Sequence, residues 1–229
     1  MIKAKRGESP AILQEKASDW RAALIAASSP AERKRCEGRY RHHQIKNALV
    51  QMFHGKCAYC ESRITHVDYG HIEHFHPQAG TRGEPRLTFE WKNLLLACGI
   101  CNGAEFKGAH FPTSEEGGPF VNPCDDEPTE HFVFEFEPHA GLASVWGVTD
   151  RGETTELTLG LNRPDLRQYR SLQIKKLAYI AMRATQDPQA AKLFEEAQQA
   201  SSEYAAFAPR SMASGSTPMA GQRVATALN

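Results

Sequence analysis

No stretch of this 229-residue chain approaches the roughly 20 consecutive apolar residues that a helical membrane span requires. The opening residues, MIKAKRGESP, lack the apolar core of a secretory signal. The expectation is therefore a cytoplasmic protein with no membrane partner. Net charge is missing too, with 27 Lys and Arg against 27 Asp and Glu, and there is no internal repeat. Cysteine is sparse, and four of the six residues fall in two CxxC pairs. In a reducing compartment that pairing favours a metal over disulfides. Cys36 and Cys124 stand alone and read as small, partly buried residues.

The zero total conceals an uneven distribution. Net charge is +7 over residues 1–60, −1 over 61–112, −10 over 113–156 and +4 over 157–229. Basic ends around an acidic middle suit a polyanion partner together with a surface that avoids it or meets another protein. Solvated helices produce the same pattern.

Along the chain, residues 11–27 predict a helix anchored by Leu13, Trp20 and Leu24. The SSP at 28–30 reads as a break and a new start, with serine capping and Pro30 in the first turn. A second helical stretch over 31–53 carries Ile45, Leu49, Met52 and Phe53 on one side. Its early basic half reads either as a solvated face or as a phosphate-contacting one. HGKCAYCESR (54–63) forms a tight knuckle, followed by an extended region to Pro77 and a loop over 78–86. The apolar run Leu94 to Ala97 suits strand or helix, and residues 112–130 read as loop. HFVFEFE alternates as a half-buried strand should, and ASVWGV and TTELTL are further candidate strands. A basic helix follows from Arg163 to Arg183, with Leu166, Tyr169, Leu172, Leu177 and Ile180 on one side. Residues 188–208 are expected to be helical, and a frayed tail begins at Pro209. The resulting organisation is a basic helical region (1–54), a compact unit (55–112), a loop and antiparallel strand region (113–160), C-terminal helices (161–208) and a tail (209–229).

Cys57 and Cys60 are separated by 37 residues from Cys98 and Cys101. Each CxxC turn sets two thiolates on one side of a knuckle, and two knuckles complete a tetrahedron. Zinc takes four sulfurs at about 2.3 Å, which leaves no open position for substrate, so the metal is structural. An iron–sulfur centre and a pair of disulfides are the alternatives. A closed zinc site staples a unit too small to be held by hydrophobic burial alone.

Between and after the knuckles stand Glu73-His74, Pro77, Asn93, Asn102 and Lys107. This order resembles the HNH endonucleases of the ββα-metal class: CxxC, an acid–His pair near a proline, Asn, then CxxC followed by His or Asn. The resemblance implies an α+β fold, with a zinc-stapled ββα-metal core, flanking helices and an appended small antiparallel β region. It implies that His74 is the general base, that Glu73 and Asn102 hold a catalytic Mg²⁺ or Mn²⁺, and that Asn93 fixes the loop aiming the base. Lys107 is implied as a phosphate contact. Neighbours in a regular strand point to opposite faces, so Glu73 and His74 are expected where the strand bulges or ends, near Pro77. Asn102 departs from members with His there, and a neutral ligand binds the ion more loosely.

A narrower likeness covers residues 55–185. KCAYCESRI, IEHFHP, WKNLLLACGICN, FVNPCDDEPTEHFVFE and LGLNRPDLRQYR are similar to the PtuB-like HNH subunits paired with an ATPase in Septu-type and retron-linked anti-phage systems. In those proteins arginine commonly occupies the position of His76, which removes His76 from catalysis. The chain has no GxxxxGK[ST], so ATP hydrolysis is expected of another subunit. The expected function is a metal-dependent endonuclease acting on DNA or RNA as the effector of a defence complex. The alternatives are a zinc-stapled nucleic-acid-binding scaffold without catalysis and a regulatory subunit that gates an ATPase.

Overall fold

Helix α1 (Ala11–Ala26) buries Leu13 and Leu24 and sets Trp20 edge-on to Phe89, ring centroids 5.5 Å apart. The computed structural model describes residues 1–208, so the tail expected from Pro209 lies outside the described residues. The expected helix over 31–53 is in fact two, α2 (Pro30–Glu37) and α3 (His43–Met52), joined by a 3-10 turn from Gly38 to Arg41. Ser29 caps α2 by accepting from the Glu32 amide at 3.2 Å, and Pro30 opens its first turn. The break follows from Tyr40, which is turned inward and buried. His42 is extended and restarts the helix, its Nδ1 accepting from the Gln44 amide at 3.2 Å. Ile45, Leu49 and Phe53 then line the buried side of α3.

Strand β1 (His71–His74) pairs antiparallel with β2 (Leu94–Ala97), with His71 opposite Ala97 and His74 opposite Leu94. The run Leu94 to Ala97 is strand, and all four residues have no exposed surface. Burial on both faces erases the alternation that separates strand from helix. Each buried leucine contributes about 1.5–3 kcal/mol. Gly70 enters β1 at φ +67°, where a Cβ would lie 2.9 Å from Ile64 Cδ1, so both conformation and space require glycine. The short helix α4 (Gly99–Asn102) follows β2 directly.

A second unit begins with α5 (Pro128–His131) and continues as a hairpin of β3 (Phe132–Glu137) and β4 (Leu142–Gly147). Phe132 pairs with Gly147 and Glu137 with Leu142. Phe132 is buried and Val133 exposed, as period-two patterning predicts.

TTELTL is not a strand but the body of α6 (Asp150–Thr158). Its threonines carry strand propensity, yet local capping decides the outcome. Thr149 accepts from the Gly152 amide at 3.1 Å, and Thr155, fully buried, donates back to the Arg151 carbonyl at 2.6 Å. Helix α7 (Pro164–Arg183) lies where expected but presents a different face. Leu166, Arg170, Ser171, Ile174 and Ala181 are buried, whereas Tyr169 and Leu172 are exposed. Arg170 is the reason. Its guanidinium donates to the carbonyls of Ala143 and Leu161 and to Asn162 Oδ1, at 2.8–3.0 Å, and so draws its own face of the helix inward. Helix α8 (Pro188–Ala197) ends earlier than expected, and turns with a 3-10 segment (Ala205–Phe207) complete the described chain.

The fold is α+β, mixed helix with two small antiparallel sheets. One cluster of buried residues runs from Met1 through both hairpins to Tyr204. Among the described residues, no helix is long and apolar enough to cross a membrane.

Candidate active site and metal centre

Cys57, Cys60, Cys98 and Cys101 are all buried, and their sulfurs lie within 4.8 Å of one another. Cys60 and Cys98 stand 4.0 Å apart. A tetrahedron with zinc–sulfur bonds of about 2.3 Å has sulfurs about 3.8 Å apart, so these four residues fit zinc. The first knuckle is held by the Cys57 amide on the Ser62 carbonyl (2.9 Å) and fixed to β2 by the Ala58 amide on the Leu96 carbonyl (2.8 Å). Glu61 closes it at φ +62°. In the second knuckle the Cys101 amide donates to Cys98 Sγ at 3.4 Å. Arg163 brings Nη1 to 3.6 Å from Cys101 Sγ, a positive charge placed to offset thiolates.

Beside this centre, Glu73 is 3% exposed and its Oε1 lies 2.5 Å from Lys107 Nζ. The Tyr59 hydroxyl addresses the same oxygen at 3.5 Å. Burial pushes the Glu73 carboxyl up, and the Lys107 charge opposes that shift. Lys107 also donates to the His74 carbonyl at 2.9 Å. The His74 ring meets different partners. Its Nε2 stands 3.0 Å from the Thr88 carbonyl, and the Tyr40 ring packs edge-on at 4.6 Å between centroids. A carbonyl only accepts, so Nε2 carries the proton and Nδ1 keeps its lone pair. Burial holds the imidazole down to about 4, against the Thr88 hydrogen bond, with help from Lys107 and Arg41. The ring is thus neutral at ordinary pH.

Asn93 clamps the segment just past His74. Its Oδ1 accepts from the His76 amide at 2.7 Å, and its Nδ2 donates to the carbonyls of His76 (3.0 Å) and Leu87 (3.2 Å). The ladder from His71 to His74 is regular, so the expected bulge is absent and only a strand end remains. Glu73 and His74 therefore reach different sets of neighbours.

Asn102 is half-buried at the end of α4, its amide on the Cys98 carbonyl at 3.0 Å. Lys107 has no exposed surface, and its ammonium is engaged by Glu73 and the His74 carbonyl. His71 is exposed, 3.9 Å from Asp68, and His76 lies against the Phe111 ring at 4.0 Å.

The chain is 32% identical over 169 residues to the Septu protein PtuB of Bacillus mycoides strain KBAB4, covering 62% of this chain and 56% of that protein. It is 37% identical over 123 residues to the Septu protein PtuB of Bacillus thuringiensis, covering 53% and 42%. A third relative, described as "Retron Vc95 putative HNH endonuclease", from Vibrio cholerae serotype O1 biovar El Tor, is 30% identical over 129 residues, covering 54% and 60%. These homologues support a PtuB-like HNH family for this chain. The chain spans about half the length of the curated relatives it matches. No protein-family model matches it, and no solved structure matches it.

Several neighbours of the site carry no mark in the sequence. Tyr59 sits inside the first CxxC, where its burial beneath Glu73 carries no sequence mark. Tyr40 is 34 positions before its partner His74. Thr88 acts through its carbonyl, a group every residue possesses, so no sequence signal could have found it.

Proposed function

We propose that this protein is a metal-dependent HNH endonuclease that hydrolyses phosphodiester bonds, as the nuclease subunit of an anti-phage defence complex with an ATPase partner. The observation that carries the reading is the 3.0 Å contact between His74 Nε2 and the Thr88 carbonyl. With Nε2–H tied to the Thr88 carbonyl, Nδ1 is left as an acceptor on a neutral ring. That is the form a general base needs to take a proton from an attacking water. Asn93 acts as a positioning residue, because its three hydrogen bonds to the backbone immobilise the loop on which the base is mounted.

Glu73 and Asn102 are the residues that would hold a catalytic ion. A carboxylate and an amide oxygen suit Mg²⁺ or Mn²⁺, with remaining positions filled by water and phosphate. Lys107 and Tyr59 both address Oε1 of Glu73, so Oε2 is the oxygen assigned to the ion. A divalent ion there supplies charge stabilisation to the scissile phosphate and the leaving oxygen. The four-cysteine centre has no open position and ties the first knuckle to the end of β2 and to α4. The relatives' names support the defence setting, since two are Septu proteins and one is described as a "Retron Vc95 putative HNH endonuclease".

The test is cleavage of labelled duplex DNA, single-stranded DNA and tRNA with Mg²⁺ or Mn²⁺, by wild type and His74→Ala, with and without an ATPase partner. Cleavage by wild type that His74→Ala loses while remaining folded supports the reading. Equal cutting by both proteins overturns it.

A further inference from the structure

We propose that the turn after α2, with Arg39 and Arg41, holds the phosphate backbone of the strand whose scissile bond lies at His74, and that Lys34 and Arg35 lengthen this track. The inference rests on the nuclease reading and adds the surface that grips the substrate.

The basic segment is brought to the candidate site by Tyr40. This side chain is buried, and its ring contacts the His74 imidazole edge-on at 4.6 Å. The next residue, Arg41, is exposed and lays its guanidinium over the opposite partner of that contact, the Tyr40 ring itself, at 4.9 Å. One aromatic ring thus links the imidazole and the guanidinium. Its burial fixes the turn, so Arg41 is presented from a packed element rather than a free loop.

Charge pairing separates a binding track from a solvated face. In this segment the acids are already engaged: Glu32 accepts from the Ser28 amide and hydroxyl, and Glu37 pairs with Arg33 at 3.8 Å. Among the described residues, Lys34, Arg35, Arg39 and Arg41 have no ion-pair partner. Four cations without an ion-pair partner thus fall within residues 34–41, the segment whose Tyr40 touches His74. Arginine presents a planar fork that matches phosphate oxygens. With Lys107 buried, Arg41 is the cation placed to take the phosphate role expected of it.

The experiment measures binding of a short labelled DNA duplex and a labelled single-stranded RNA across a salt series. It uses the full chain carrying His74→Ala, alone and combined with Arg41→Gln, Arg41→Lys, Arg39→Gln/Arg41→Gln, or Arg33→Gln. Loss of each phosphate contact is expected to weaken binding several-fold. It should also flatten the log–log salt slope by about 0.9 on duplex or about 0.7 on single strand. Arg41→Lys should fall between, and Arg33→Gln should match the parent. Zinc content and thermal melting should be equal throughout. An Arg39→Gln/Arg41→Gln protein with parental affinity and slope overturns the track, as does an Arg33→Gln loss of equal size or a parent that binds neither probe. A wild type that binds through these arginines yet leaves DNA and RNA uncut, with Mg²⁺ or Mn²⁺ and the ATPase partner present, keeps the track and overturns the nuclease reading. One that cuts regardless of them does the reverse.

Discussion

His74 and Thr88 are joined by a hydrogen bond of 3.0 Å from imidazole Nε2 to a backbone carbonyl. Because the acceptor has no proton to give, this one contact sets which ring nitrogen is free. It also explains why the partner residue's side chain is dispensable to the arrangement.

His74→Asn keeps much of the bulk against Tyr40 but removes the basic nitrogen. Single-turnover cleavage should drop by about 10²–10⁴-fold, the usual worth of a positioned base, with zinc content unchanged. A drop of less than tenfold would remove His74 from the base role.

Thr88 is fully buried and its hydroxyl has no partner among the described residues. An unsatisfied buried hydroxyl is unfavourable, and Thr88→Val deletes it while keeping the carbonyl. Chemical denaturation should show equal or higher stability, by up to about 1 kcal/mol, and cleavage should persist. A large loss of stability would mean the hydroxyl is engaged after all.

Lys107 and Glu73 form an ion pair with 0% and 4% side-chain exposure. Lys107→Met leaves a carboxylate buried without compensation and should cost about 3–5 kcal/mol in urea unfolding. Adding Glu73→Gln should recover part of that loss. Were the two changes simply additive, the pair would not be coupled.

Metal analysis of the purified chain should find one zinc, bound by four buried sulfurs. Cys98→Ser or a strong chelator should lower the melting temperature sharply and broaden the transition, because zinc binding contributes directly to folding. An unchanged melt in metal-free protein would contradict the staple.

Arg82 and Glu116 tie two exposed loops together, and the guanidinium holds the Glu116 carboxyl at about 2 against an ordinary 4.5. A depressed folded pKa means the contribution is present above the ordinary value and fades as pH falls toward about 2. Wild type should therefore melt slightly above Glu116→Gln at neutral pH, and the difference should vanish in acid. Thermal melts across pH check this. A difference constant with pH would exclude the ion pair as its source.

The legible parts of the fold were those written in local pattern. Phe132, Phe134 and Phe136 marked β3 by alternation, and Ser29-Pro30 marked the start of α2 by capping chemistry. The misread parts depended on contacts distant in sequence. Thr154, Thr155 and Thr158 have strand propensity, but α6 forms because Thr149 and Thr155 satisfy backbone groups locally and the helix packs on β4. The buried face of α7 differs from the apolar stripe because spacing cannot anticipate that a charged residue, Arg170, finds three acceptors inside. Arg82, Asp126 and Glu116 gave no sign of their pairings.

In the candidate site, the sequence alone determined which residue types were available and their order: two CxxC pairs, Glu73-His74, Asn93 and Asn102. Covalent spacing suffices for that, since each knuckle and the adjacent pair are short-range features. Tertiary structure decided what each group faces. It brought four sulfurs within 4.8 Å, buried Lys107 against Glu73, and set the Thr88 carbonyl on one nitrogen of His74. It also carried Arg41 to the site on the back of Tyr40. These outcomes depend on which buried polar groups find partners when the core closes, and that matching occurs only in three dimensions.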